Sequence, residues 1–420
     1  MTRASLRVGV LGAGTVGREV IRALLERPGL LSTADGCTLT LVGVAVRNVG
    51  ASRHAGIPAD LLTDAPAHLV ASPETDVVIE LMGGAEPAQT LIAAALMAGK
   101  PVVTANKQVI AHRGPELERI SRRTGAALRF EAAVGGGIPI LGPLAADLAA
   151  NEVRRVRGIV NGTTNFILSE MAEGRGSYDD VLASAQERGY AEADPAGDVE
   201  GRDAINKLVI LARLAFGAWL DPTGIVDRPP SGRGAGRGPP GITGVTAEEI
   251  AGAAALSLCL RLVASAVSDT AGGEVEAAVV PTAVPIDSPL GRTSGVRNRI
   301  EVQARPVGDV GFDGPGAGGE ATASAVLGDL VAIARGQGST WAGRPPAERA
   351  EARDPLAAAE RGWFTFLVGR SRQDLLPEAG KPMFQTKSLP TGLAVRTPPM
   401  SLAAARSLLT PDGAIYPVDD

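Results

Sequence analysis

At 420 residues, with 41 lysines and arginines against 46 aspartates and glutamates, the chain has room for two or three domains, and its formal charge of −5 leaves no general basic surface for nucleic acid. Two cysteines far apart in sequence (Cys37 and Cys259) and three scattered histidines (His54, His68 and His112) support neither a disulfide framework nor a metal site, so a reducing cytoplasm fits best. No membrane segment is expected, since the most apolar helix candidate, residues 251–268, is alanine-rich and contains Arg261, and no signal peptide is expected, since the first residues already read as a strand.

Residues 6–11 are a short, mostly apolar strand, Gly12-Ala13-Gly14-Thr15-Val16-Gly17 follows at once, and residues 18–25 read as a helix. This is G-x-G-x-x-G in its required context. The glycines allow a tight turn and the helix N-terminus offers amides to a pyrophosphate, so Gly12, Gly14, Thr15, Val16 and Gly17 are candidate dinucleotide ligands. The next strand, 39–46, ends in Arg47-Asn48 with no acidic residue for a ribose 2′-hydroxyl. An arginine there suits a 2′-phosphate and favours NADP(H) over NAD(H); a solvated arginine just past a strand is the other account.

Another strand, 76–82, ends in Gly83-Gly84, a helix spans 88–98, and residues 101–107 form a strand and its exit loop, Asn106-Lys107. A last strand, 126–130, leads into EAAVGGGIPI at 131–140, where three glycines beside Glu131 leave backbone groups open unless they are merely a flexible turn. This alternation predicts an α/β, doubly wound, Rossmann-type domain. Ligands sit at the carboxyl ends of its strands, so Gly83, Gly84 and Lys107 fall where the nicotinamide end belongs.

Charge then collects in AQERGYAEADPAGDVEGRDAINK, residues 185–207, whose last part reads as a helix opening near Asp198. At about 100° per residue, Glu200, Asp203 and Lys207 share a line with the apolar Leu211, Leu214 and Ala218, while Arg202, Asn206 and Arg213 lie roughly 120° away on the wet side. Lys207 is thereby turned inward. An Asp203–Lys207 pair at i,i+4 explains it as a helix-stabilising contact; the acidic loop before it (Glu192, Asp194, Asp198) points instead to a bound polar group.

These residues resemble homoserine dehydrogenases. Residues 185–207 match that family's signature through Asp203 and Lys207, and the glycine loop, VVTANK (102–107), EAAVGGGIPI (131–140), NGTTNFIL (161–168) and GPGAGG (314–319) match in order, together spanning residue 6 to about 336. The resemblance implies NAD(P)H-linked reduction of L-aspartate 4-semialdehyde to L-homoserine, and its reverse, on the route to threonine and methionine. It implies Lys207 as proton donor to the developing alkoxide and Lys107 beside the reacting centre and the cofactor. Two neighbouring lysines lower each other's pKa and nearby carboxylates raise it. Glu192 carries over as a substrate ligand, with Asp198 and Asp203 as partners for the substrate ammonium or for Lys207, and Asn161 and Thr163 as neutral donors. Gly318 joins the cofactor residues. Glu131 with the carbonyls of Val134, Gly136 and Ile138 resembles the family's monovalent-cation site, a structural sodium held by hard oxygens.

The layout implied is a dinucleotide domain to about residue 145, completed by a returning helix at 321–334 after the 314–319 loop. An α/β substrate-binding, catalytic and dimerisation domain follows over 146–313, with strands at 153–160, 275–280 and 300–305. Homodimers or dimers of dimers are the family habit, and a fusion to a kinase segment before residue 6 is not expected. Two regions depart. Residues 221–241 contain RPPSGRGAGRGPPG and read as an exposed insertion, either a tolerated mobile loop or a basic contact for a phosphate or partner. Residues 337–420 hold a linker, a strand at 363–368 and a short helix at 402–409, a reduced or divergent form of the amino-acid-binding ACT module to which threonine feedback is not carried over. A different aldehyde oxidoreductase and a catalytically silent cofactor sensor would keep the glycine loop; the presence of Lys107, Lys207 and Glu192 speaks against both.

Overall fold

The computed structural model describes residues 5–26, 37–51, 56–230, 237–268, 273–341, 343–358, 360–371, 384–409 and 414–419. Its elements begin β1 (Ser5–Leu11), α1 (Thr15–Glu26), β2 (Thr38–Ala45), β3 (Leu62–Thr63), α2 (Pro66–Ala71), β4 (Val77–Glu80), α3 (Ala88–Met97), β5 (Val102–Thr104), α4 (Lys107–Thr124), β6 (Leu128–Arg129) and α5 (Leu141–Ala145). Next come β7 (Glu152–Ile159), α6 (Gly162–Ala172), α7 (Tyr178–Glu187), α8 (Ala196–Val199), α9 (Arg202–Phe216), β8 (Trp219–Leu220), α10 (Ala247–Ala255), β9 (Leu258–Val267), β10 (Glu276–Pro285), β11 (Arg297–Arg305) and β12 (Gly308–Pro315). The last are α11 (Gly319–Ala334), β13 (Arg349–Ala350), α12 (Pro355–Ala358), β14 (Trp363–Val368), β15 (Gln385–Leu389), β16 (Gly392–Arg396), α13 (Leu402–Leu409) and β17 (Tyr416–Pro417). Two compact units result: Met1–Glu152 with Val209–Pro222 and Gly314–Ala350, and Val153–Leu208 with Thr223–Asp313 and Glu351–Asp420.

The first unit is built on a six-stranded sheet in the order β3-β2-β1-β4-β5-β6, parallel throughout. Parallel strands are covered on both faces, which is why β4 is buried at every residue. Val8, Val10, Val44, Ile79 and Val103 form its centre with Val20, Ile21 and Leu24 from α1, and Val326 and Leu330 from α11 join the same cluster. Each such side chain contributes about 1.5–3 kcal/mol by leaving water. The helix read at 321–334 is thus part of this core.

The second unit carries a five-stranded sheet in the order β10-β9-β7-β11-β12. The strands read at 153–160, 275–280 and 300–305 fall on β7, β10 and β11, the last two being longer than expected. Residues 251–268 are not one helix: α10 ends at Ala255, Ser257 turns the chain with φ of +60°, and residues 258–267 are β9. A buried apolar run has no amphipathic period to distinguish strand from helix. No helix among the described residues is long and apolar enough to cross a membrane.

Two further readings are corrected by long-range contacts. The arms of the 221–241 segment are exposed only in part: Thr223, Arg228, Arg237 and Pro239 face solvent, while Ile225, Pro229, Pro230 and Gly241 are buried; its centre, 231–236, lies outside the described residues. Gly241 N–H donates to the Asp227 carbonyl (3.0 Å) and Ile242 N–H to that of Val199 (2.9 Å). A side chain at Gly241 would run into the Val199 carbonyl.

The C-terminal residues build more than one strand and one helix. They form an antiparallel sheet in the order β15-β16-β14-β17, with Trp363, Leu367, Leu393, Val395 and Ile415 clustered on Ala278 and Val280 of β10, while Phe364 and Phe366 lie against Gly252 of α10. Most of the loop after β14, from residue 372 to 383, lies outside the described residues.

Candidate active site

In the first unit a cleft of about 480 Å³ opens at the carboxyl ends of the central strands, lined by Gly12, Ala13, Gly14, Val46, Arg47, Leu81, Met82 and Gly83 among others. It lies where β1 leaves in two directions, to β2 and to β4, the switch point at which doubly wound sheets bind ligands. The cradle needs its glycines: a Cβ at Gly17 would run into the Gly12 carbonyl, whereas one at Gly14 would meet no protein atom within 4 Å because it faces open space. Thr15 and Val16 open α1, directly after the Gly12–Gly14 stretch that lines the cleft, and the first amides of a helix have no partner within it. Gly318, with φ of +113°, caps α11, and a Cβ at the next residue, Gly319, would meet the Thr15 carbonyl at 3.0 Å, so two helix N-termini approach one another there.

Arg47 is exposed on the rim of the cleft, and so is Asp64, the residue that follows β3. Sequence reading found the arginine and missed the carboxylate, because only the β2–β3 pairing brings them to one rim.

Gly83 and Gly84 form the turn after β4 with φ of +73° and +72°. Lys107 is the first residue of α4, behind its cap Asn106, whose side chain accepts the Val109 N–H at 3.1 Å.

The second unit assembles the predicted substrate residues around one asparagine. Asn161 caps α6 by accepting the Thr164 N–H (2.9 Å), and its Nδ2 donates both to Asp198 Oδ1 (2.7 Å) and to Asp203 Oδ2 (2.9 Å). Lys207 Nζ donates to the same Asp203 oxygen (2.7 Å) and to the Val160 carbonyl (2.6 Å). Asp203 and Lys207 are only 8% and 7% exposed, so the inward lysine of the helical pattern is a buried ion pair. The helix itself starts at Arg202, after a separate turn α8 that carries Asp198.

Thr163 donates its hydroxyl to the Tyr190 carbonyl (2.7 Å) and so ties the charged loop to α6. Glu192 is exposed, with its backbone carbonyl held by Gln186 Nε2 (3.0 Å), and its carboxylate is not brought into the Asn161 cluster by any described hydrogen bond.

One residue of the same helix is placed differently from its reading. Arg213 is not on a wet face but fully buried, donating to Glu118 of α4 at 2.6 and 3.1 Å. Glu118 lies 95 residues away and is invisible to helical periodicity.

Glu131 accepts three backbone N–H groups, from Ile140 (2.7 Å), Leu141 (2.8 Å) and Gly142 (2.6 Å). Burial pushes its pKa up, and those amides oppose the shift. The carbonyls of Val134, Gly136 and Ile138 accept no backbone N–H among the described residues. This donor set fits a cation held by carbonyl oxygens, with the Glu131 carboxylate shaping the turn.

A glycine cradle at the switch point of a doubly wound sheet defines a dinucleotide-binding protein of the NAD(P) class. Residues 12–131 match the family model for the NAD-binding domain of homoserine dehydrogenase, and residues 139–331 match that for homoserine dehydrogenase itself. The chain belongs to the homoserine dehydrogenase family, whose reaction is the reversible NAD(P)H-dependent reduction of L-aspartate 4-semialdehyde to L-homoserine. It is 41% identical to the enzyme of Mycobacterium tuberculosis over 353 residues, 83% of this chain and 76% of that one. Among solved structures, a homoserine dehydrogenase from Thiobacillus denitrificans superposes with a TM-score of 0.84 at 31% identity, covering 99% of this chain and 98% of that one. A hyperthermophilic archaeal homoserine dehydrogenase in complex with NADPH gives 0.63 at 27% identity over 78% and 97%.

Proposed function

We propose that Lys207 is the residue that moves the proton at the substrate oxygen, giving it to the alkoxide during reduction and taking it from the hydroxyl during oxidation. The observation that carries this is its buried ammonium, held by Asp203 and the Val160 carbonyl and tied through Asn161 to Asp198. A catalytic lysine must be held in one geometry, and a bond to a fixed carbonyl and a bond to a buried carboxylate do that. The bound nicotinamide supplies or accepts the hydride. Lys107, at the start of α4, assists at the reacting centre and the cofactor; Asp198, Asp203, Asn161, Thr163 and Glu192 serve the zwitterionic substrate, Thr163 by holding the 185–207 loop in place.

Gly12, Gly14, Thr15, Val16, Gly17, Gly83, Gly84 and Gly318 hold the cofactor through backbone groups, and Arg47 selects NADP(H) by pairing with a 2′-phosphate. The NADPH complex of the archaeal relative supports that choice. Arg47→Ala should weaken NADPH about tenfold or more and leave NADH within about twofold, the loss of one charge-assisted contact; equal losses in fluorescence titrations with both cofactors would remove the phosphate contact.

The carbonyls of Val134, Gly136 and Ile138, with Glu131 shaping their turn, hold a structural sodium. The family likeness supports a homodimer or dimer of dimers in the cytoplasm. Initial rates of L-homoserine oxidation with NADP⁺ and then NAD⁺, with and without sodium or potassium, test the whole reading: turnover that prefers NADP⁺ and rises with the cation is expected, and absence of turnover in protein that binds NADPH would overturn the assignment of Lys207.

A further inference from the structure

Glu80 ends β4 and is wholly buried, a carboxylate in a strand otherwise made of Val77, Val78 and Ile79. None of the cofactor, substrate or cation roles above uses it. Burying a carboxylate is costly unless donors surround it, and here they come from two different turns. Glu80 Oε1 accepts the Met82 N–H (2.7 Å), in the turn after its own strand, and Oε2 accepts the Thr104 hydroxyl (2.6 Å), at the end of the neighbouring strand β5.

The bonds continue beyond the carboxylate. Thr104 Oγ1 accepts the Asn106 N–H (2.9 Å), Asn106 Nδ2 donates to the Gly84 carbonyl (2.7 Å), and Asn106 Oδ1 caps α4 through Val109. The loop is closed: from Glu80 to Thr104, to Asn106, to Gly84 and back to the turn that Glu80 holds through Met82. Burial pushes the Glu80 pKa up, and the bonds from Thr104, Met82, Asn106 and Gly83 oppose the shift. Leu81, Met82 and Gly83 line the cleft, and Lys107 is the first residue of the capped helix.

We propose that Glu80 is a positioning residue for the hydride-transfer end of the cleft, locking the 81–84 turn and the Lys107 end of α4 in the geometry that seats the nicotinamide half of the cofactor. An acceptor-only side chain suits this task because both turns present donors to it. Glutamine would place an NH₂ group against either the Met82 N–H or the Thr104 hydroxyl. The proposal rests on the cleft being the dinucleotide site, and its test separates the two.

Affinities for NADPH and for 2′-phospho-AMP, which lacks the nicotinamide half, are measured together with kcat on the wild type, Thr104→Val, Thr104→Ser and Glu80→Gln. Valine keeps the shape of threonine and the strand while removing the hydroxyl, so it reads out even where Glu80→Gln fails to fold. Thr104→Val should lose about 10- to 100-fold in NADPH affinity or in kcat/KM, the expected effect of removing the hydrogen bond to a buried charged group together with the acceptor of the Asn106 N–H. Affinity for 2′-phospho-AMP should stay within about twofold, and Thr104→Ser should restore most of the loss. Unchanged NADPH affinity and turnover in Thr104→Val would overturn the proposal, as would a parallel fall for 2′-phospho-AMP, which would make Glu80 a support of the domain as a whole. A wild type that binds neither compound would overturn the cofactor reading and this proposal with it.

Discussion

Lys207→Met should lower kcat for homoserine oxidation by about 10² to 10⁴, the usual worth of a positioned acid or base, while the Kd for NADPH changes by less than about threefold, below the usual worth of a hydrogen bond to a charged group. Methionine keeps most of the stem volume of lysine and removes only the ammonium, so the buried site is not left as a cavity. Asp203 loses one donor but keeps the Asn161 Nδ2 at 2.9 Å, which moderates the cost of an unpaired buried carboxylate. Stopped-flow or steady-state rates on the variant, with NADPH binding followed by fluorescence and melting followed by circular dichroism, separate the three effects. A fall in NADPH affinity equal to the fall in turnover would place Lys207 on the cofactor instead of the substrate oxygen, and unchanged turnover would leave it the simple i,i+4 pair.

Glu118→Ala should have the largest effect on stability, a loss of about 3–5 kcal/mol of the kind seen when one partner of a buried ion pair is removed. Glu118 is the common acceptor for five N–H groups from three side chains: Arg213 through Nε and Nη2, Arg122 through Nε and Nη2, and Trp219 through Nε1, all between 2.6 and 3.1 Å. Arg213 is 0% exposed and, among the described residues, keeps hydrogen bonds to the carbonyls of Gly217 (3.0 Å) and Pro345 (2.6 Å) once the carboxylate is gone. The melting temperature should fall by about 10 °C. Glu118→Gln keeps an acceptor and should lose less. A variant melting within about 2 °C of the wild type, a shift worth under about 1 kcal/mol, would show that the guanidinium finds full compensation elsewhere.

Parts of the site were legible because their signals are local. The glycine loop needs only a strand before it and a helix after it, and all three lie within residues 5–26. Lys207 was turned inward by the 3.6-residue period of one helix, which packing then confirmed. The same period misplaced Arg213, since a wet face and a face covered by a distant helix have the same spacing, and only the partner at Glu118 distinguishes them. Glu80 sits in the strand read at 76–82 without a local signal of its own, since its partner Thr104 lies 24 residues on. The 221–241 segment read as exposed from composition, yet Ile225, Pro229, Pro230 and Gly241 are buried and the chain is tied down at Gly241 and Ile242 by backbone bonds to Asp227 and Val199.

By itself the amino-acid sequence determined the dinucleotide cradle, the inward lysine with its acidic neighbours, and the blocks that mark the family, because turn chemistry and helical period are properties of contiguous residues. Tertiary structure alone decided that Asn161 joins Asp198, Asp203 and Lys207, that Asp64 shares a rim with Arg47, that residues 258–267 are a strand, and that the strands from Trp363 onward pair into a four-stranded sheet. Strand pairing and buried polar partners link residues tens to hundreds of positions apart, and the cost of leaving such groups unpaired inside the protein selects those partners only when the chain closes on itself.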